Sequence, residues 1–123
     1  MTTAPVNNAS AMTSEEVEVL REQYRSAAER TVGAPAPVIN RWVAEVERCY
    51  KFLKNTDEGR NALLSLLEDS HPQVRIWAAR HCLQWDPVRA RDVLEELVRK
   101  NEAMYGFTAK YTLKEFDKGR LRF

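Results

Sequence analysis

Cysteine is nearly absent from this sequence: Cys49 and Cys82 are the only two among 123 residues. Two cysteines cannot lay out a disulfide scaffold or a zinc finger. Each stands inside an apolar helical pattern, so both are expected to be small buried hydrophobes. Histidine is as scarce. His71 and His81 have no second His, Cys or carboxylate at ligand spacing, and a zinc site needs three or four convergent donors. Four glycines leave no glycine-rich loop to cradle a phosphate. Apolar runs are only a few residues long, too short to span a bilayer, and Met1 to Met12 has neither the basic nor the apolar region of a signal peptide. The expectation is a cytoplasmic protein with no cofactor, no metal and no membrane partner.

An excess of one charge is missing too. Nineteen basic and 18 acidic side chains give a net charge of +1. Up to Glu58 there are 7 basic and 9 acidic residues, and beyond it 12 and 9, so the C-terminal half is mildly basic. Affinity for nucleic acid comes largely from phosphate neutralisation and calls for a stronger imbalance, so a protein partner is the first expectation. Catalysis finds no constellation either. Cys82 follows His81 directly, and adjacent helix residues point about 100° apart, so they cannot act as a nucleophile and base. Glu68-Asp69 and Glu95-Glu96 read as solvated charge. No enzyme is expected.

What the sequence has is helix. Thr13 followed by Glu16 forms a capping-box pattern, and Val17, Leu20, Tyr24, Ala27 and Ala28 follow at helical spacing. Gly33-Ala34-Pro35-Ala36-Pro37 ends that segment. A second helix is expected from about Val38 to Lys54 and a third from near Asn55 to Asp57. Pro72 and Asp86-Pro87 then mark two further starts, since proline is tolerated in a first turn and Asp accepts from exposed amides. After a break near Asn101 to Gly106, helix six is expected to carry Phe107, Tyr111, Leu113 and Phe116, with Gly119 as its stop. The fold class is all-α, with about six helices. Residues 1–12 form a tail, 13–54 an N-terminal helix pair, 55–86 one repeat and 87–123 a second repeat or C-terminal cap, within a single domain spanning 13–123.

The repeat emerges on shifting the chain by 31 residues. Leu63 then falls on Leu94, Leu66 on Leu97, Leu67 on Val98, Val74 on Tyr105, Ala78 on Ala109, Cys82 on Leu113 and Trp85 on Phe116. A helix–turn–helix unit recurring at a fixed interval is how helical solenoids are written. Its first copy runs through Leu63-Leu64, Leu66-Leu67, Asp69, Pro72, Val74-Arg75, Ala78-Ala79 and Cys82-Leu83. That string resembles the HEAT repeat signature, and the C-terminal two-thirds is similar to small standalone bacterial HEAT-like proteins. The second copy departs from it, with Gly106 at the place of Arg75 and Lys110 at that of Ala79. The resemblance implies a short right-handed alpha-solenoid, pairing of Asp69 with Arg75, and a stacked helical wall that binds another protein.

Two faces are candidates for that binding. On helix four, Trp77 falls on Thr108 in the second copy, so the core does not demand an aromatic there, and Trp is enriched at binding hot spots. Trp77, Arg80, His81 and Gln84 form the first face. Lys110, Lys114 and Lys118, spaced by four, lie along one side of helix six, with Arg120 and Arg122 beyond them. That second face suits an acidic protein surface. A bacterial immunity protein neutralising a toxin fits the size and the resemblance. A scaffold for an endogenous protein, or a nucleic-acid-binding HEAT-like domain, are the alternatives.

Overall fold

The structure, a computed structural model, describes residues 12–123 and is all-α, with no strand among them. Six α-helices follow one another: α1 Ser14–Glu29, α2 Ala36–Leu53, α3 Asp57–Ser65, α4 Pro72–Cys82, α5 Pro87–Lys100 and α6 Ala103–Asp117, with a 3-10 turn Leu66–Glu68 after α3. Of the expected N-terminal tail, all but Met12 lies outside the described residues. The chain divides into two compact units, the first ending at Leu63 and the second spanning Leu64–Phe123.

In the first unit α1 packs against α2. Helix α1 begins where the sequence says it must. The Thr13 amide donates to Glu16 Oε1 at 2.8 Å and the Glu16 amide donates to Thr13 Oγ1 at 3.1 Å, so two exposed helix-end donors are satisfied reciprocally. Val17, Tyr24, Ala27 and Ala28 are its buried side, and Val46, Cys49, Tyr50 and Leu53 are that of α2. Helix α2 starts at Ala36, two residues before the expected Val38, because Pro37 in a first turn lacks only an N–H that has no intrahelical acceptor there. At the start of α3 the Gly59 amide donates to Thr56 Oγ1 at 2.9 Å. Gly59 is buried close against the backbone of Leu53.

In the second unit α4 is central, meeting the 3-10 turn, α5 and α6. Its start is pinned by the Asp69–Arg75 segment. The His71 amide donates to Asp69 Oδ2 at 3.0 Å, and Arg75 Nη1 donates to the Asp69 carbonyl at 2.9 Å. His71 itself caps α4 by accepting from the Gln73 amide on Nδ1 at 3.1 Å. Asp86 caps α5 by accepting from the Arg89 amide at 3.2 Å. Helix α5 stops at Asn101, which adopts the left-handed conformation (φ 48°) that Asn tolerates better than most residues. The 31-residue register carries into burial. Leu63 and Leu94, Leu66 and Leu97, and Ala78 and Ala109 are buried at both positions of each pair, and no member of the seven pairs is exposed.

Helix α6 begins at Ala103, inside the expected break of Asn101 to Gly106, and its apolar residues take more than one side. Phe107 and Tyr111 are 72% and 57% exposed, while Gly106, Ala109 and Thr112 are the buried positions of α6. Small residues let α6 approach its neighbours closely: a Cβ on Gly106 would stand 2.9 Å from Asn101 Cα. Leu113 and Phe116 are half-buried at the edges of that contact, and the two large aromatics turn to the opposite side.

Candidate functional site

The face expected on α4 divides. His81 is 1% exposed and belongs to the interior, so its ring is not presented to a partner; it lies beside Trp77, with centroids 5.8 Å apart and the planes tilted by 38°. Trp77 and Arg80 are half-buried, and Gln84 is exposed, its amide donating to the His81 carbonyl at 3.0 Å. The cause is coverage. A helix met on three sides buries residues over most of its circumference, and α4 buries Val74, Ile76, Ala78, Ala79, His81 and Cys82. Arg80 is the residue of this set that reaches a cleft. Its Nη2 donates to the Arg122 carbonyl at 3.3 Å, while its Nε is buried without a hydrogen-bond partner. The cleft has a volume of about 310 Å³ and is lined by Arg80, Tyr111, Glu115, Arg120, Leu121 and Arg122.

Tyr111 joins this cleft to the second face. Met104, Phe107 and Tyr111 are all more than half exposed, and their spacing of three and four residues puts them on one side of α6. Lys110 lies along the rim of this row, and Lys114 and Lys118 continue beyond Tyr111; all three lysines are exposed. Among the described residues none of the three takes part in an ion pair. The neighbouring charges are engaged. Arg120 Nε stands 3.6 Å from Glu115 Oε1, and Arg91 of α5 pairs with Asp117 while lying 5.9 Å over the Phe116 ring. The result is an apolar stripe with three free cations beside it.

Both cysteines are buried, and burial pushes the Cys49 thiol up to about 11 and the Cys82 thiol up to about 12. A thiol so raised stays protonated at neutral pH and is a poor nucleophile. The expected result is that a thiol reagent at pH 8 labels neither cysteine in the folded chain and both after urea unfolding. Because these values lie above the unfolded value of 9.0, the contribution is present below pH 9 and lost as pH rises through 11 to 12. Cys82→Ala should therefore flatten the alkaline fall in unfolding free energy. Among the described residues no group of three or more His, Cys, Asp or Glu could hold a metal ion, and no helix is long and apolar enough to cross a membrane.

Fold and surface together define an all-α protein of successive packed helices with an aromatic and basic outer face on its last helix. Residues 37–117 match the model of a family described as a domain of unknown function (DUF2019), and the chain belongs to that family. The chain is also similar to a solved structure, that of the protein RPA1889 from Rhodopseudomonas palustris CGA009. The two share 28% sequence identity with a TM-score of 0.75, over 94% of this chain and 98% of the other. No curated protein matches the sequence.

Proposed function

We propose that this chain is a protein-binding module of HEAT-like helical repeats, a short solenoid whose last helix presents its outer face to an acidic partner. One observation carries the reading. Met104, Phe107 and Tyr111 are exposed in a row beside Lys110, Lys114 and Lys118, and an exposed apolar patch rimmed by charge is the ordinary form of a docking surface. Aromatic side chains supply the buried area of such contacts, and the lysines supply orientation and encounter rate. The solenoid reading is supported by the 31-residue register, in which three of the seven aligned pairs are buried at both positions and none has an exposed member. An acidic toxin neutralised in the cytoplasm is one partner of this chemistry, and an endogenous protein held by a scaffold is another.

The test is affinity capture from source-cell lysate by the wild type and by two variants, Phe107→Ala/Tyr111→Ala and Lys110→Glu/Lys114→Glu/Lys118→Glu. One stoichiometric acidic protein should be recovered by the wild type and be lost at least about tenfold in each variant, the loss of one or two hot-spot contacts. Equal recovery by all three, or none by any, defeats the reading. A second reading rests on the same stripe, because aromatics interleaved with lysines also stack on single-stranded nucleic acid. Glu115 and Asp117 on the same helix and the net charge of +1 weigh against it. Salt-sensitive retardation of an oligonucleotide by the wild type alone would establish it.

A further inference from the structure

The outer face of α6 has a counterpart on this same chain. In α1, Glu15, Glu18 and Glu22 are exposed, and Val19 between them is 56% exposed. Spacings of three and four residues place all four on one side of the helix, opposite its buried Val17, Tyr24 and Ala28. We propose that α1 of a second copy docks on the outer face of α6, so that copies of this chain associate head to tail. This inference rests on the reading of that face as a docking surface, and it supplies the face with an occupant.

Three features fit. First, the charges are complementary and mostly free. Glu15 and Glu18 have no ion-pair partner among the described residues, and Glu22 has only a loose one, Arg21 at 3.8 Å. Arg25, on the same helix, is paired with Glu29 at 3.1 Å. Second, the spans agree. At 1.5 Å per residue, Glu15 to Glu22 covers about 10.5 Å and Lys110 to Lys118 about 12 Å. Val19 falls near the middle of the acidic stripe, opposite the segment of α6 between Tyr111 and Lys118. Third, the polarity of the helices favours an antiparallel crossing. It sets Glu15, in the first turn of α1, against Lys118 just past the end of α6, each charge beside the helix end that attracts it.

The two surfaces differ, so the contact pairs unlike faces, and copies associate either as a closed ring, a reciprocal pair included, or as an open chain. Exposed ion pairs are individually weak and salt-screened, so the association is expected at roughly millimolar protein, the range of a small interface.

Sedimentation equilibrium of the full chain over a range of concentrations tests this. At low salt the weight-average mass should climb above the 14.2 kDa of one chain to two copies or more, and at high salt it should fall back to one chain. Lys110→Glu/Lys114→Glu/Lys118→Glu and Glu15→Lys/Glu18→Lys/Glu22→Lys should each remain single chains. Their mixture should assemble, because each then carries the charge the other lacks, and that recovery shows that both variants are folded. A wild type that stays single at every concentration and salt, or a mixture no heavier than its components, overturns the proposal. The Glu-to-Lys variant leaves α6 intact. Its recovery of the partner from lysate, measured alongside, reports on the proposed function and not on self-association.

Discussion

Gly59→Ala lowers the melting temperature of this protein by roughly 10 °C, although the substitution puts a better helix former into a helix. An Ala in a helix is worth about 1 kcal/mol over Gly through propensity and the entropy of the unfolded chain, so an unobstructed site would gain stability. Here a Cβ would meet the Leu53 carbonyl oxygen at 2.0 Å, its carbon at 2.7 Å and Leu53 Cα at 2.9 Å. All three are backbone atoms at the end of α2, and no side-chain rotation can relieve the contact. Relief requires α3 to shift away, yet its first turn is tied down. The Gly59 amide donates to Thr56 Oγ1, and Arg60 Nη1 donates to the Lys54 carbonyl at 2.6 Å. Overpacking of this kind costs about 1–3 kcal/mol and more where the backbone is the obstacle, enough to outweigh the propensity gain and leave a net loss near 2–3 kcal/mol. For a domain of this size that corresponds to the shift stated. Gly106→Ala is the internal comparison. Its Cβ would meet Asn101 Cα at 2.9 Å and Asn101 Oδ1 at 3.1 Å, an end-of-helix residue with more freedom to yield, so its loss should be smaller. Thermal unfolding followed by circular dichroism ranks the two. A rise in melting temperature for Gly59→Ala would mean that α2 and α3 do not approach as closely as described.

The helix starts were legible in the sequence because their causes are local. Thr13 with Glu16, Pro72 after His71, and Pro87 after Asp86 each act on amides within three residues, and each stands at a helix start in the structure. The faces of α4 and α6 were harder to read. Helix α6 carries large apolar residues on more than one side, with Tyr105, Leu113 and Phe116 toward the interior edge and Met104, Phe107 and Tyr111 outward. Periodicity cannot choose between two such stripes; the small residues Gly106 and Ala109 decide it, because they permit close approach. His81 misled for a related reason. A polar residue beside an amphipathic stripe reads as surface, and only the presence of neighbours on three sides of α4 puts it inside. The lysine line was legible, since Lys at every fourth position has no interior reading. Its aromatic companions were not, because helical spacing alone does not say which side of α6 faces outward.

Ala78→Arg should abolish folding altogether. Ala78 is 0% exposed on α4, the helix that meets the 3-10 turn, α5 and α6. An arginine there adds a long chain where a methyl group fits, a cost of about 1–3 kcal/mol. It also brings a cation into an interior with no carboxylate to meet it, since the buried neighbours on α4 are Val74, Ala79 and Cys82. An unpaired buried charge costs several kcal/mol even after relaxation. Together these exceed about 5 kcal/mol, which is comparable with the whole stability of an ordinary domain. The measurement is the far-ultraviolet circular dichroism of the purified variant, with loss of the helical signal as the expected result. Ala78→Gly, costing about 1 kcal/mol through propensity alone, should remain folded and so separate crowding and charge from the mere loss of alanine. The repeat makes the prediction twofold. Ala109 occupies the equivalent place 31 residues on and is likewise 0% exposed, so Ala109→Arg should fail for the same reason. Lys110, one residue further, already carries a cation at the place of the buried Ala79 and does so at the surface. If Ala109→Arg folds while Ala78→Arg does not, the two helix pairs are not equivalent packing units and the 31-residue register is a coincidence of amphipathic spacing. If both fail and Lys110→Ala changes nothing, the register describes how the chain packs.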